Sequence, residues 1–156
     1  MNKLVLPLIF IILASCCIQQ EDEGIFLETN IEVEEYVWSN NELQQYGFIQ
    51  DEMFYVEFKA TKYLSNTDSF MTIQIDIPEV IEIISGDTQW QGKDVSKKVI
   101  MGLEASKKGV YEIKMTATNE ANYYTSTKKI TLCIGEDVEE IETYCTGEIP
   151  APPLPS

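Results

Sequence analysis

Between Gly24 and Ile134 the apolar positions recur every second residue. In "FYVEFKA" Phe54, Val56, Phe58 and Ala60 alternate with Tyr55, Glu57 and Lys59, and in "MTIQIDI" Met71, Ile73, Ile75 and Ile77 alternate with Thr72, Gln74 and Asp76. "VYEIKMTATN" repeats the pattern, with Tyr111, Ile113, Met115 and Ala117 on one side. Successive side chains of a strand point to opposite faces, so a period of two describes strands with one face in a core and the other in water, as in antiparallel sheets.

Clusters of turn-forming residues separate the runs: "SNTDS" (65–69), Pro78, "SGD" (85–87), "QGKD" (91–94), "SKKG" (106–109) and "NEAN" (119–122). Each supplies the glycine, proline or short polar side chains that reverse a chain cheaply. They delimit strands near 25–37, 53–63, 70–77, 80–85, 95–103, 110–118 and 123–134, with 43–49 as a weaker eighth. "NELQQY" (41–46) has room for no more than a helical turn. Seven or eight short strands without a helical segment predict an all-β fold, an antiparallel β-sandwich, with a closed barrel as the alternative way to bury the same faces.

Two segments carry a resemblance. "IPEVIEIISGDTQWQG" (77–92), followed by "KKGVYEIKMTATN" (107–119), resembles the immunoglobulin-like modules of prokaryotic surface proteins, including the CARDB type. The resemblance spans about residues 50–134 and implies an immunoglobulin-like sandwich. It also implies that Gly109 makes a turn into an inner strand and that Tyr111 buries its ring while its hydroxyl reaches a backbone group, as at a tyrosine corner. No cysteine pair bridges the expected sheets and no tryptophan lies on the expected central strand, so the implied relation is to the general sandwich and not to antibody domains. The same sandwich serves adhesion, sugar binding, scaffolding and inhibition, so it conveys no activity.

Ahead of the strands, Lys3 precedes a ten-residue apolar run, "LVLPLIFIIL" (4–13), too short to cross about 30 Å of hydrocarbon as a helix and of the right length for an export signal. The run ends in "LASC" (13–16), which resembles the lipobox of prokaryotic lipoprotein signal peptides. That resemblance implies lipidation of the Cys16 thiol and cleavage just before it. Two acyl-type chains would then hold the protein durably at the extracytoplasmic face of the cell membrane. A plain secretory signal with cysteines near its cleavage site is the simpler alternative. Cys17 is assigned no role. The expected organisation is a lipoprotein signal peptide (1–15), an acidic tether (16–24), the sandwich (25–134), an acidic appendage (135–148) and a proline-rich tail (149–156) favouring extended polyproline II.

Charge narrows the list of partners. With 26 acids against 11 lysines the formal net charge is −15. Phosphate backbones are repelled, so nucleic acid is not an expected partner, and anionic headgroups are repelled too, which leaves membrane attachment to the lipid. Absence of histidine and arginine removes Ser-His and Cys-His nucleophile pairs, imidazole metal sites and bidentate guanidinium clamps. No glycine-rich phosphate loop occurs. Among 26 acids, carboxylate pairs at glycosidase distance arise by chance. The chain is therefore read as non-catalytic and without a cofactor, with another envelope protein as its expected partner.

Three features keep candidate chemistry. Cys133 and Cys145 remain once the leader pair is set aside. In an exported protein they are read as a disulfide pinning the appendage to the last strand; a zinc site would lack two ligands. "EDVEEIE" (136–142) lacks the Asp/Asn and glycine pattern of a calcium loop and is read as a solvated acidic strand or hairpin. Trp38, Trp90, Tyr123 and Tyr124 are the aromatics that could face a ligand, a polysaccharide above all, with core or edge packing as the other use of such rings.

Overall fold

The computed structural model describes residues 26–63, 69–121 and 123–147. The expected signal peptide, Cys16, Cys17, the tether and the proline-rich tail lie outside the described residues. Ten strands and one helix follow in order: β1 (Phe26–Glu34), β2 (Trp38–Asn40), β3 (Gln45–Ile49), β4 (Met53–Tyr63), β5 (Met71–Asp76), β6 (Ile81–Ser85), β7 (Gln89–Gly92), β8 (Ser96–Ala105), β9 (Gly109–Asn119), β10 (Tyr124–Gly135) and α1 (Val138–Thr146).

They form two sheets, one of four strands in the order β1-β4-β8-β6 and one of six in the order β2-β3-β10-β9-β5-β7. The inner faces carry the residues that the alternation singled out: Phe54, Val56, Phe58 and Ala60 from β4 meet Met71, Ile73 and Ile75 from β5 and Tyr111, Ile113, Met115 and Ala117 from β9 in one buried cluster. The fold is thus an all-β sandwich. Lys62 continues the inward row of β4 yet is buried at the end of the sandwich, where its ammonium donates to the carbonyl oxygens of Ser69 (2.7 Å) and Lys93 (3.1 Å). A buried cation needs such acceptors to offset its lost hydration.

Three expectations need correction. Among the described residues the strand count is ten, because β2 and β7 are three- and four-residue edge strands too short to show a period. The pairing is not wholly antiparallel, since β3 runs parallel to β10, Gln45 opposite Thr131 through Ile49 opposite Gly135. The cause lies in the connection to β4, which has only residues 50–52 to cross the roughly 10 Å between sheets. Strand β3 must therefore finish at the end where β4 begins. There the Gln50 N–H donates to the Gly135 carbonyl, the Asp51 N–H donates to the Ala105 carbonyl, and Phe48 stacks on Phe54 with ring centroids 4.0 Å apart.

The third correction concerns the acidic appendage, which is an α-helix and not a strand or hairpin. Asp137 caps its start by accepting the Glu140 N–H at 2.8 Å, and the Glu140 carboxylate accepts the Glu136 N–H at 2.7 Å, a variant of the reciprocal capping box. Left-handed Gly147 ends it by donating its N–H to the Thr143 carbonyl. Ile141 and Cys145, four residues apart, form its buried stripe. That stripe lies on the outer face of the six-stranded sheet, over Cys133, Trp38, Ile49 and Val110. Nine residues are too few to hold a helix in water alone, so packing and the Cys133–Cys145 disulfide hold it.

Candidate functional site

The sandwich offers two outer faces, and their chemistry differs. On the six-stranded sheet, α1 covers the β2-β3-β10 end. The rest is a polar lattice: Thr116 meets Thr127, Thr118 meets Thr125 at 3.3 Å, and Thr72 and Gln91 both donate to Glu120. Lys114 pairs with Asp76 at 2.9 Å and Lys129 with Glu112 at 2.8 Å. The Lys114 ammonium, hydrogen-bonded to Asp76 and aided by the Gln74 amide, holds that carboxyl below the usual carboxylate range. This face is hydrogen-bonded to itself.

The outer face of the four-stranded sheet has an apolar centre. Tyr55 lies opposite Gly102, and Met53 precedes it on the same side of β4; Gly102 donates its N–H to the Ser85 hydroxyl at 3.2 Å, and a Cβ placed on it would meet that oxygen at 2.7 Å, the Tyr55 ring at 3.3 Å and the Met53 sulfur at 3.7 Å. Ile100, two residues before Gly102 on β8, belongs to the same row and is 57 % exposed. Ile84, at the bulge of the neighbouring edge strand β6, is 46 % exposed. Isolated exposed apolar residues are ordinary; four on one outer face, beside a glycine that is itself buried under Ser85, are not.

Carboxylates ring this centre. Glu34 lies opposite Tyr55, Glu32 opposite Glu57, and Glu82 opposite Glu104. Glu57 is bound through both oxygens to Lys98, at 2.8 and 2.9 Å. Glu34, Glu82 and Glu104 make no ion pair among the described residues. The hydrogen bond that Lys98 donates to Glu57, and secondarily the charges of Glu57, Glu32 and Glu34, hold the Lys98 ammonium above the usual lysine range.

The aromatics expected to face a ligand are not gathered into one platform. Trp38 is on edge strand β2, packed under α1, whereas Trp90 is on β7, the opposite edge of the same sheet, with five strand spacings of about 4.8 Å between them. Trp90 packs against the core, its ring over Gly92 and the Lys97 ammonium 5.2 Å from its centroid. It borders an open cleft of about 200 Å³ with Asp87, Gln89 and Lys97. Tyr123 is 84 % exposed at the β9–β10 turn, with Tyr124 beside it at the start of β10. A second hollow, of about 130 Å³, lies over Glu28, Asn30, Lys59, Thr61 and Tyr63, where the Tyr63 hydroxyl donates to Glu28.

Around α1 the charged groups are engaged. Lys108, before β9, donates to Glu136 at 2.8 Å and to Glu140 at 3.0 Å, and Glu140 also accepts the Tyr144 hydroxyl at 3.2 Å. The Glu136 N–H first, with Lys108 and Tyr144 adding to it, holds the Glu140 carboxyl below the usual range; the two carboxylates raise the Lys108 ammonium. Among the described residues no three histidine, cysteine, aspartate or glutamate side chains converge as metal ligands, and no helix is long and apolar enough to cross a membrane.

The apolar patch was not anticipated, although the sequence contains its signal. "MFYV" (53–56), "IEII" (81–84) and "KVIMGL" (98–103) place apolar residues on both parities of their strands. Where a strand's outward positions are apolar as well, the period of two is lost and the outer face carries apolar surface.

No family model matches the chain, and no curated protein matches it in sequence. Its structure is similar to that of a FixG-related protein from Vibrio parahaemolyticus (TM-score 0.46, 10 % identity, 69 % of this chain and 95 % of that one). It is similar also to the CARDB domain of a Pyrococcus furiosus protein solved in complex with di-metal ions (0.44, 14 %, 72 % and 90 %). A conjugative transposon lipoprotein from Bacteroides eggerthii is a further similar structure (0.43, 9 %, 67 % and 95 %).

Proposed function

We propose that this chain is a lipid-anchored, non-catalytic immunoglobulin-like domain, held outside the cell through Cys16, that docks another envelope protein on the outer face of its four-stranded sheet. The observation that carries the reading is the exposed group Met53, Tyr55, Ile84 and Ile100 around Gly102, on a molecule whose other outer face is covered or hydrogen-bonded to itself. An apolar centre with a polar rim is the anatomy of a protein–protein contact. The lipobox-like "LASC" supports the tether, and the absence of histidine and arginine supports a role without catalysis.

Photocrosslinking in intact cells tests the docking face. A benzophenone side chain at position 100 is expected to trap a reproducible partner, while the same probe at Thr127, on the hydroxyl lattice of the other sheet, traps none. Equal yields at both positions would sink the assignment of the face. The anchor is tested separately: Cys16→Ser is expected to release the protein from the membrane fraction, and an unmodified amino terminus in the mass spectrum would remove the tether from the reading.

A further inference from the structure

Resting on the docking reading just given, we infer that the partner presents an apolar ridge flanked by lysine or arginine, so that its basic rim meets Glu32, Glu34, Glu82 and Glu104. The argument is charge complementarity. Four glutamates surround the apolar centre and none of them makes an ion pair among the described residues, Glu32 accepting only from the Asn30 amide; the ion pair at the patch, Glu57 with Lys98, is internal. Bringing a neutral or acidic surface onto the centre would strip water from those carboxylates and return nothing, whereas a basic rim replaces the lost hydration with charge-assisted hydrogen bonds.

The same charges argue against a second copy of this chain as the occupant. Two copies meeting through this face would set identical carboxylate rims against each other, and the whole chain carries a formal charge of −15. An anionic lipid surface is excluded on the same ground. Lys59, opposite Asn30, and Lys98, opposite Lys59, interrupt the acidic row before Glu28, so the basic groups of the partner should gather toward the Met53 end, where Glu34, Glu82 and Glu104 lie without a lysine. Long-range attraction between such rims accelerates encounter and is screened as the Debye length falls from about 10 Å at 0.1 M salt to about 3 Å at 1 M.

The test uses the full chain in intact cells, with the crosslinking probe at position 100 and the four outward glutamates replaced together, Glu32→Gln, Glu34→Gln, Glu82→Gln and Glu104→Gln. These side chains are solvent-facing, so the variant is expected to keep the wild-type unfolding midpoint. Adduct yield is expected to fall by about fivefold or more with the neutralised rim, and to fall likewise at high salt in isolated membranes. The peptide trapped from the partner is expected to carry net positive charge. Adducts that persist undiminished with the neutralised rim, or a trapped peptide that is neutral, acidic or from this same chain, overturn the inference while leaving the docking face standing. No adduct at position 100 beyond that at Thr127 removes the docking face itself, and the inference with it.

Discussion

Cys133, on the outward side of β10, is joined to Cys145 in the last turn of α1 with their Cα atoms 5.7 Å apart. The bond fixes a helix of only nine residues to a sheet, closing a short loop with a sequence separation of 12. In the chain-entropy picture such a loop is worth about 2–3 kcal/mol. Replacing both cysteines by alanine is expected to lower the unfolding free energy by about that amount and to speed amide exchange across 138–146, while exchange in β4, β8 and β9 keeps its pattern. Unchanged exchange in the helix would show that packing alone holds it.

Gly47 and Ile141 are the second attachment of that helix. A Cβ at Gly47 would collide with the Ile141 side chain and come within 3.1 Å of the Trp38 Cβ, so the absence of a side chain on β3 is what lets α1 lie down. Gly47→Ala is expected to destabilise by about 1–3 kcal/mol, the range for forcing an extra methyl into a packed site. Ile141→Ala in the same chain should relieve part of that cost, and denaturation of the two single variants and the double variant measures the coupling. Strict additivity would mean the two residues do not meet as described.

Tyr111 donates its hydroxyl to the carbonyl oxygens of Lys107 and Lys108, each at 3.0 Å, and so braces the turn at Gly109, whose φ of 144° excludes most side chains. Tyr111→Phe keeps the ring and orphans two acceptors at a half-open turn. A loss of about 1 kcal/mol is expected in chemical denaturation, with no change in the fold. A neutral result would mean that water replaces the hydroxyl fully.

Much of this was legible in advance, because the alternating strands state their own geometry. The inward rows of β4, β5 and β9 could be read residue by residue, while the roles of Gly109 and Tyr111 come from the resemblance to immunoglobulin-like modules. The helix was hidden by its acidity, although Asp137, Glu140, the Ile141–Cys145 spacing and Gly147 together spell a cap, a stripe and a stop. Strand β7 escaped because "QWQG" sits between two turn clusters and buries only Trp90. The parallel partnership of β3 and β10 follows from a connection length, not from any local pattern. The apolar outer patch is hidden for a related reason: Ile100 looks like one more core residue until β8 has a register.

The Glu136 N–H first, with the Lys108 ammonium and the Tyr144 hydroxyl, makes the Glu140 carboxylate and so the helix contact sensitive to acid. Glu140 has a folded pKa below that of an unfolded glutamate, about 4.3. Its contribution is therefore present above that value and lost as the pH falls through the lower folded pKa. Lys108 has a raised folded pKa, so its contribution is present below about 10.4 and lost only as the pH rises through the higher folded value. Glu140→Gln is expected to lower the unfolding midpoint at pH 7, and its difference from the wild type is expected to shrink toward pH 3. A difference that stays constant over that range would assign the effect to packing instead of the charged carboxylate.

Ile100 and Met101 are neighbours on β8 that face opposite ways, one 57 % exposed and the other at 0 % in the core. Their substitution separates contact from folding. Met101→Ala empties a packed site and is expected to cost about 2–5 kcal/mol, whereas Ile100→Ser removes surface that water already reaches and is expected to change stability by no more than about 0.5 kcal/mol. If the outer face binds a partner, Ile100→Ser should nevertheless abolish most crosslinking from a probe at the neighbouring Tyr55, because a central apolar residue carries a large share of an interface. A fully stable Ile100→Ser protein that is trapped as efficiently as the wild type would mean that this isoleucine is exposed without purpose, and the docking face would lose its centre.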